Sequence, residues 1–255
     1  MLAPASRNLL LRVSVAVAVV VAAKLVAHLA GWEAISLNPL FSGVIAANVF
    51  LMGFLLSGVL SDYKESERMP GELAASLENL YEEMRAIAIA KPEADVAASL
   101  ARVAGVSRDL LDWFHKRIGT PEMLGRLNSL TPHLAAIEKW AQAALVGRLK
   151  QEQANIRRLV VRIDTIRETS FISSGYLIAD AMTLLLCFGL VLIKYDPFYE
   201  SVFFAAVITF LLVFLRTLIR DLDNPFGYYE SSSGEDVSLA PIEQLAARLA
   251  AGAGV

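Results

Sequence analysis

Between Glu33 and Asp62 the chain carries no charged residue, and this stretch constrains the fold more than any other feature of the sequence. A helix needs about 20 mostly apolar residues to cross a hydrocarbon core about 30 Å thick. The stretch therefore predicts a transmembrane helix over residues 38–60. The composition agrees, because only 19% of the residues are charged, whereas soluble domains average about 25%.

Three further stretches are apolar enough to cross a bilayer. Residues 173–193 contain Asp180 as their only charge, and residues 9–30 carry three basic side chains. Residues 201–219 begin with 15 uncharged residues, which are followed by Arg216. Together the four stretches predict a multi-pass membrane protein.

The first stretch also fits a secretory signal peptide, since Arg7 and Arg12 precede a short apolar core over residues 13–23. Apolar residues resume after Lys24, however, and extend the stretch to the length of a full span. Cleavage would also place the central segment and the C-terminus on opposite sides of the membrane. We therefore interpret residues 9–30 as an uncleaved span.

Lys and Arg residues near the span ends are unevenly divided between the two sides of the predicted bundle. Cytoplasmic loops of membrane proteins carry an excess of these residues. One side has only Lys194, so the other side, with both termini and the segment between the second and third spans, is predicted to be cytoplasmic. Its basic residues are Arg7, Arg12, Lys64, Arg68, Arg157, Arg158, Arg162, Arg167, Arg216 and Arg220.

The predicted fold class is an all-α membrane protein, with four transmembrane helices and a helical cytoplasmic insert between the second and third. The insert contains 16 basic and 16 acidic residues, as a solvated, charge-balanced region would. The spans divide the chain into transmembrane helices 1 and 2 (residues 1–61), the cytoplasmic helical region (62–170), transmembrane helices 3 and 4 (171–220) and a cytoplasmic C-terminal segment (221–255).

Two apolar stripes predict helices within the insert. The first alternates steps of four and three residues, as one helix face requires: Leu73, Leu77, Leu80, Met84 and Ile87. After Thr131-Pro132 nothing in the sequence breaks a helix until about Thr169, which predicts a helix of about 37 residues, roughly 55 Å long. Packing within the chain and packing against copies of the chain explain its stripe equally well: Leu145, Leu149, Ile156, Leu159, Ile163 and Ile166.

The sequence lacks the short motifs of metalloproteases, serine hydrolases and nucleotide-binding enzymes. Its histidines lie in different segments, and its single cysteine, Cys187, has the apolar neighbours of a buried, inert thiol. We therefore predict no catalytic residue, no metal site and no cofactor. A net charge of −3 argues against nucleic acid as a partner. An intramembrane enzyme that uses Asp180 and His28 is the weakest alternative, since these residues lie on different spans.

Two charged residues fall inside predicted spans, where ionisable groups are candidates for function. Lys24 lies about 15 residues from the cytoplasmic end of its span, roughly 22 Å, whereas Asp180 lies about 7 residues, roughly 10 Å, from that side. The difference in depth argues against a direct ion pair. We expect Lys24 to extend its amine outward, and Asp180 to form hydrogen bonds within the bundle or to contact water near its cytoplasmic face. A functional role for either residue is the open alternative.

Two parts of the sequence go beyond generic membrane helices. They are Asn38-Pro39-Leu40-Phe41, Gly53-Phe54 and residues 61–68 around the second span, and Asn224-Pro225-Phe226-Gly227 with residues 235–239 after the fourth. With the order of two spans, helical insert and two spans, these segments resemble the bestrophin family of ion channels, and more narrowly its bacterial members. The layout matches over most of the chain, and the motifs match over about 45 residues.

The resemblance implies a pentamer whose second spans surround one pore with a hydrophobic neck. Anchored on Gly53-Phe54, the neck falls on Ala46, Phe50 and Phe54, and Ala46 is smaller than the residue usual at its position. Steps of four place these residues on one helix face, although aromatic residues at helical spacing usually contact lipid or neighbouring helices. The same face continues toward the cytoplasm with two candidate pore-lining hydroxyls, Ser57 and Ser61.

The resemblance also implies a channel for small anions such as chloride in a bacterial inner (plasma) membrane. Its expected partners are the lipid bilayer, copies of itself and the permeant inorganic ions. A cation channel of the same architecture is an alternative, because an uncharged neck discriminates mainly by dehydration. A non-conducting membrane scaffold whose cytoplasmic helices recruit a partner is another.

Eukaryotic bestrophins bind calcium through an acidic run after the last span. Here the acidic residues are split by residues 228–234, and Ca²⁺ requires six to eight converging oxygens, so no calcium site is predicted. We interpret the Asn224–Gly227 motif as structural, with Pro225 ending the helix and Gly227 permitting a turn. The acidic residues are Asp221, Asp223, Glu235 and Asp236.

Overall fold

The computed structural model describes residues 4–168, 173–228 and 236–252, and most of these residues lie in helices. An all-α architecture is therefore confirmed, apart from two strands of two residues each. The helices are α1 (Pro4–Leu29), α2 (Pro39–Ala90), α3 (Ala97–Phe114), α4 (Thr120–Asn128), α5 (Leu130–Ile137), α6 (Ala143–Glu168), α7 (Ser173–Leu192), α8 (Phe198–Leu222) and α9 (Ala240–Gly252), and the strands are β1 (Ile35–Ser36) and β2 (Ile193–Lys194).

Within the described ranges, four helices are long and apolar enough to cross a membrane by length and composition. They are α1, α2, α7 and α8, and they coincide with the four predicted stretches. Most of the residues in their apolar windows are not buried within the single chain. Since burying apolar surface is worth about 25 cal/mol per Å², these helices require lipid or other protein chains around them.

The chain forms two compact units, and the first contains residues 4–63 and 173–225. In this unit α1 packs on α7 and α8, which also pack on each other. The first half of α2 adds a buried face, on which Met52 and Leu55 belong to the same apolar cluster as Leu186 and Leu212. The core of the unit thus lies among α2, α7 and α8.

The two short loops of this unit are joined by a parallel strand pair that the sequence did not predict. Ile35 of β1 is in register with Ile193 of β2. The turn after α1 depends on Gly31, which has a left-handed φ of 69°, a conformation that glycine adopts without steric cost. The amide of Trp32 then donates to the Ala27 carbonyl at 2.9 Å and closes the end of the helix.

The second unit contains residues 64–168, 226–228 and 236–252. Its core includes the predicted first stripe, because all five residues from Leu73 to Ile87 are buried. Helix α3 packs on α4, α5 and α9, and α6 packs on α4 and α5. Helix α2 continues into this unit without interruption, with Pro70 buried inside it, although proline removes one backbone hydrogen bond.

The prediction of one unbroken helix after Pro132 is wrong. Helix α5 begins before this proline and ends at Ile137, and the amide of Trp140 donates to the Ile137 carbonyl at 2.9 Å in the turn that follows. Ile137 and Val146 are both buried, but in one helix they would lie about 180° apart, because nine residues turn about 900°. The break between α5 and α6 allows both side chains to enter the core.

The open question about the second stripe is answered in part. Leu149, Ile156 and Ile163 are buried within the second unit, where α6 packs on α4 and α5. These three positions therefore have intramolecular partners and do not depend on another copy of the chain.

The contact between α7 and α2 at Gly189 gives a stability prediction. A Cβ atom at Gly189 would lie 2.7 Å from Cε2 of Phe41, so Gly189→Ala forces the ring to move and should lower the free energy of unfolding by about 1–3 kcal/mol. Gly43→Ala is the matched control, because its Cβ meets nothing within 4 Å. Thermal unfolding of both variants in detergent measures the difference, and equal midpoints would contradict the close approach.

Candidate functional site

The residues predicted to line a pore share one exposed face of α2. Phe50 and Phe54 are 79% and 61% exposed. Met52, two residues from Phe50, is fully buried and lies about 160° away around the helix. The face is thus turned away from the core of its own unit. Its members are Ala46, Phe50, Phe54, Ser57 and Ser61.

This exposed face of α2, here called the neck face, carries aromatic rings but no charge. Leaving two phenylalanines exposed on a helix is unfavourable in water, and contiguous exposed apolar surface usually marks a site that lipid or protein covers. A lipid surface and a pore axis shared by several copies would both cover it. The assignment of the neck therefore stays a prediction at this point.

Lys24 is fully buried within the first unit. Its Nζ donates to Oε1 of Glu33 at 2.7 Å and also to the Ile193 carbonyl. The amine therefore points toward the loop that follows α1, but it is buried and paired with Glu33 and does not extend to the membrane interface as expected. The structure does not bring Lys24 and Asp180 together.

Glu33 links two side chains of α1. Its Oε2 lies 2.9 Å from Nδ1 of His28, whose ring stacks on Phe198 at a centroid distance of 3.8 Å. Burial acts to raise the pKa of Glu33, but hydrogen bonds from Lys24 and His28 outweigh it and hold the pKa below its ordinary value of 4.5. The carboxylate is therefore ionised near neutral pH and can balance the buried ammonium group.

Glu33 was not among the predicted site residues. The sequence signal was its position: it bounds the uncharged stretch and lies nine residues after Lys24. A spacing of nine residues across a turn does not by itself show a contact between Lys24 and Glu33. The other partner of Lys24, the Ile193 carbonyl, is 169 residues away in sequence and has no local signal.

Asp180 lies between two arginines of α8. Nε of Arg216 donates to Oδ1, and a terminal nitrogen of Arg220 donates to Oδ2. One turn away on α7, the hydroxyl of Tyr176 donates to Asp223 Oδ1 at 2.7 Å. The expectation of hydrogen bonds within the bundle is confirmed for Asp180, and its arginine partners are the part that sequence reasoning missed.

The enzyme alternative finds no geometric support. His28 is engaged with Glu33 and Phe198, whereas Asp180 is engaged with two arginines. In the ranges that the structure describes, no group of three or more His, Cys, Asp or Glu side chains could hold a metal ion.

The Asn224–Gly227 motif is built around Phe226, which is fully buried and packs against the Phe114 ring at a centroid distance of 5.7 Å. The amide of Gly227 donates to Oδ1 of Asp236 at 3.1 Å. Helix α8 ends at Leu222 with Asp223 as its C-cap, as expected for a helix that stops before the residue preceding Pro225.

The backbone of Gly227 and the side chain of Asn224 complete the description of this motif. Among the described glycines only Gly31 has a positive φ, so Gly227 makes no left-handed turn, and its contribution is the amide donor. Asn224 has a buried Oδ1 with no hydrogen-bond partner within the described ranges. Glu235 lies outside the described residues.

Comparison with solved structures identifies the fold. A variant of a bacterial bestrophin homolog from Klebsiella pneumoniae matches with a TM-score of 0.78 at 17% identity, covering 96% of this chain and 99% of the other. Another structure of the Klebsiella homolog gives 0.73 at 18% identity, covering 96% and 97%. A structure described as a membrane protein gives 0.80 at 16% identity, covering 93% and 97%.

No protein-family model and no curated protein matches the chain. The structural matches extend over nearly the full length of both chains, and the chain therefore has a bestrophin-like fold. The resemblance inferred from its motifs is confirmed at the level of the fold.

The Lys24–Glu33 pair predicts a strong effect of removing one partner. Glu33→Gln leaves a buried ammonium group without its counter-charge and should lower the unfolding temperature by about 5–10 °C. The double variant Lys24→Met/Glu33→Gln should recover most of this loss, because no unpaired charge remains. Glu200→Gln is the control, since no ion pair of Glu200 occurs in the described residues. Thermal unfolding in detergent would count against the pair if the double variant were the least stable.

The same pair predicts a pH dependence. Because the pKa of Glu33 is lowered in the folded protein, its contribution is fully present above about pH 4.5 and is lost as the pH falls through the lower, folded value. The difference in unfolding temperature between the native protein and Glu33→Gln should therefore shrink as the pH falls below 4.5. A difference that widens in acid would contradict the assignment.

Proposed function

We propose that the protein is an ion channel formed by several copies of the chain, most simply a pentamer, with the neck face of α2 lining a central pore. The observation that supports the proposal is the orientation of Phe50 and Phe54, which are exposed directly opposite the buried face of the same helix. The bestrophin-like fold supplies the context, since structures of the same fold are described as bestrophin homologs.

In this arrangement Phe50 and Phe54, repeated around an axis, form an apolar constriction. A ring of phenylalanines holds water weakly, and such a constriction gates by dewetting. Ala46 makes one end of the neck wider. At the other end Ser57 and Ser61 offer hydroxyl groups to a rehydrating ion. Steps of four and three residues place all five side chains along one face of α2.

The proposed ions are small anions such as chloride, as the family resemblance implies. The neck face itself carries no charge, so discrimination at the neck depends on the cost of removing water from the ion. Both termini and residues 62–170 are proposed to face the cytoplasm of a bacterium, because nearly all basic residues near the span ends lie on that side. The scaffold alternative is weaker, since the α6 stripe has partners within its own unit.

Conductance of neck variants tests the proposal. Phe50→Ala/Phe54→Ala removes the apolar constriction and should raise the open probability or the single-channel current several-fold in planar bilayers under a KCl gradient. Phe188→Ala is the matched control, because Phe188 is 61% exposed like Phe54 but lies on α7. The reversal potential is expected at the value for chloride, and a value at the potassium potential favours the cation channel.

The opposite results are equally distinct. Silent bilayers from both the native protein and the double variant, with insertion shown by protease protection, would remove the pore assignment. An equal increase from Phe188→Ala would mean that the effect comes from a disturbed lipid contact.

A further inference from the structure

The side chains of Asp180, Arg216 and Arg220 together carry a net charge of +1, and Asp221 and Asp223 follow Arg220 closely in the sequence. Two guanidinium groups share one carboxylate, and each donates from one nitrogen to it. A guanidinium group has five N–H donors, so most donors of the pair have no protein partner within the described ranges. The side chains of Arg216 and Arg220 are 36% and 55% exposed.

The depth of the cluster places it at one surface of the hydrocarbon core. Helix α8 begins at Phe198, next to the exposed aromatic ring of Tyr199, and aromatic residues prefer the membrane interface. Arg216 lies 18 residues further and Arg220 lies 22 further, which is about 27 Å and 33 Å along the helix. A hydrocarbon core is about 30 Å thick. The two guanidinium groups therefore lie at the level of the lipid headgroups on the opposite side.

The surface beside the cluster is apolar and exposed. On α7, Leu177 and Leu184 lie one turn before and one turn after Asp180 and are 71% and 72% exposed. A free anion would use only the charge of this site, whereas a phospholipid uses both the charge and the apolar surface.

We propose that Arg216 and Arg220 bind the phosphate of an anionic phospholipid, with an acyl chain along Leu184. Guanidinium groups form charge-assisted, forked hydrogen bonds to phosphate. Asp180 positions both arginines and leaves these three side chains with a net charge of +1, which one anionic headgroup balances. A zwitterionic lipid offers the same phosphate, but its own cationic group is repelled by the arginines, so it binds more weakly. The proposal rests on the membrane placement of α7 and α8 and not on conduction.

Native mass spectrometry of the detergent-purified, full-length protein tests this site. Dioleoylphosphatidylglycerol and dioleoylphosphatidylcholine are titrated separately, and each bound lipid is counted by its mass. The first phosphatidylglycerol should bind at least fivefold more tightly than phosphatidylcholine. Arg220→Gln should weaken the affinity for phosphatidylglycerol about fivefold. Arg220→Lys should weaken it less, because the positive charge is kept.

Two further variants separate the site from general effects. Lys194→Gln removes one positive charge from the other end of the α7–α8 pair, two residues before Asp196 and six before Glu200, and should leave the affinity unchanged. Leu184→Ser leaves the ion cluster intact and should weaken the affinity for phosphatidylglycerol about twofold. Loss of the same affinity in Lys194→Gln would overturn the proposal.

The remaining outcomes also decide the question. Displacement of phosphatidylglycerol by millimolar inorganic phosphate would show a soluble-anion site and overturn the lipid assignment. A change in subunit number in Arg220→Gln, with lipid counts per subunit unchanged, would assign the arginines to contacts between copies. The Phe50→Ala/Phe54→Ala variant should bind lipid normally, so failure of this proposal and failure of the channel proposal are distinguishable.

Discussion

Charge in an apolar bundle must be matched locally, and the arrangement of α1, α7 and α8 depends on how this chain meets that requirement. A charged side chain at the centre of a bilayer is costly, so it pairs or faces a polar cavity. At one end, Lys24 of α1 binds Glu33 and the backbone just beyond α7. Toward the other end of α7, Asp180 binds two arginines of α8. Helix α1 is thus tied to the residue after α7 by a charge-assisted hydrogen bond, and α7 is tied to α8 by ion pairs.

Helix α2 differs from these three helices because its first half has no charge to match. It is held by apolar contacts through Met52, Leu55 and Val59, and the side chains of its other face are exposed in the single chain. This separation explains how one helix can be fixed firmly and still present an uncharged surface to whatever surrounds it. Because the ion pairs lie on the other helices, the residues of the neck face of α2 are not needed to hold the unit together.

The sequence predicted those features that depend on local pattern. The four apolar stretches and the stripe from Leu73 to Ile87 are read from spacing alone, and the motifs around the second span led to the correct fold. The break between α5 and α6 could not be predicted, since residues 138–142 contain neither glycine nor proline and the break serves the burial of Ile137 and Val146. The partners of Lys24 and Asp180 are long-range, and strands of two residues are too short to form a pattern.

The contact between Lys24 and the Ile193 carbonyl has a consequence for the biosynthesis of the chain. The two residues are 169 positions apart, and a ribosome adding about 5–20 residues per second needs about 10–30 s to make the segment between them. During that interval the first helical hairpin must stay in the translocon or the bilayer with Glu33 as the available counter-charge. Insertion of the first pair of apolar helices therefore depends on an acidic residue that is made within seconds of the lysine, and the final packing of α1 waits for α7 and α8.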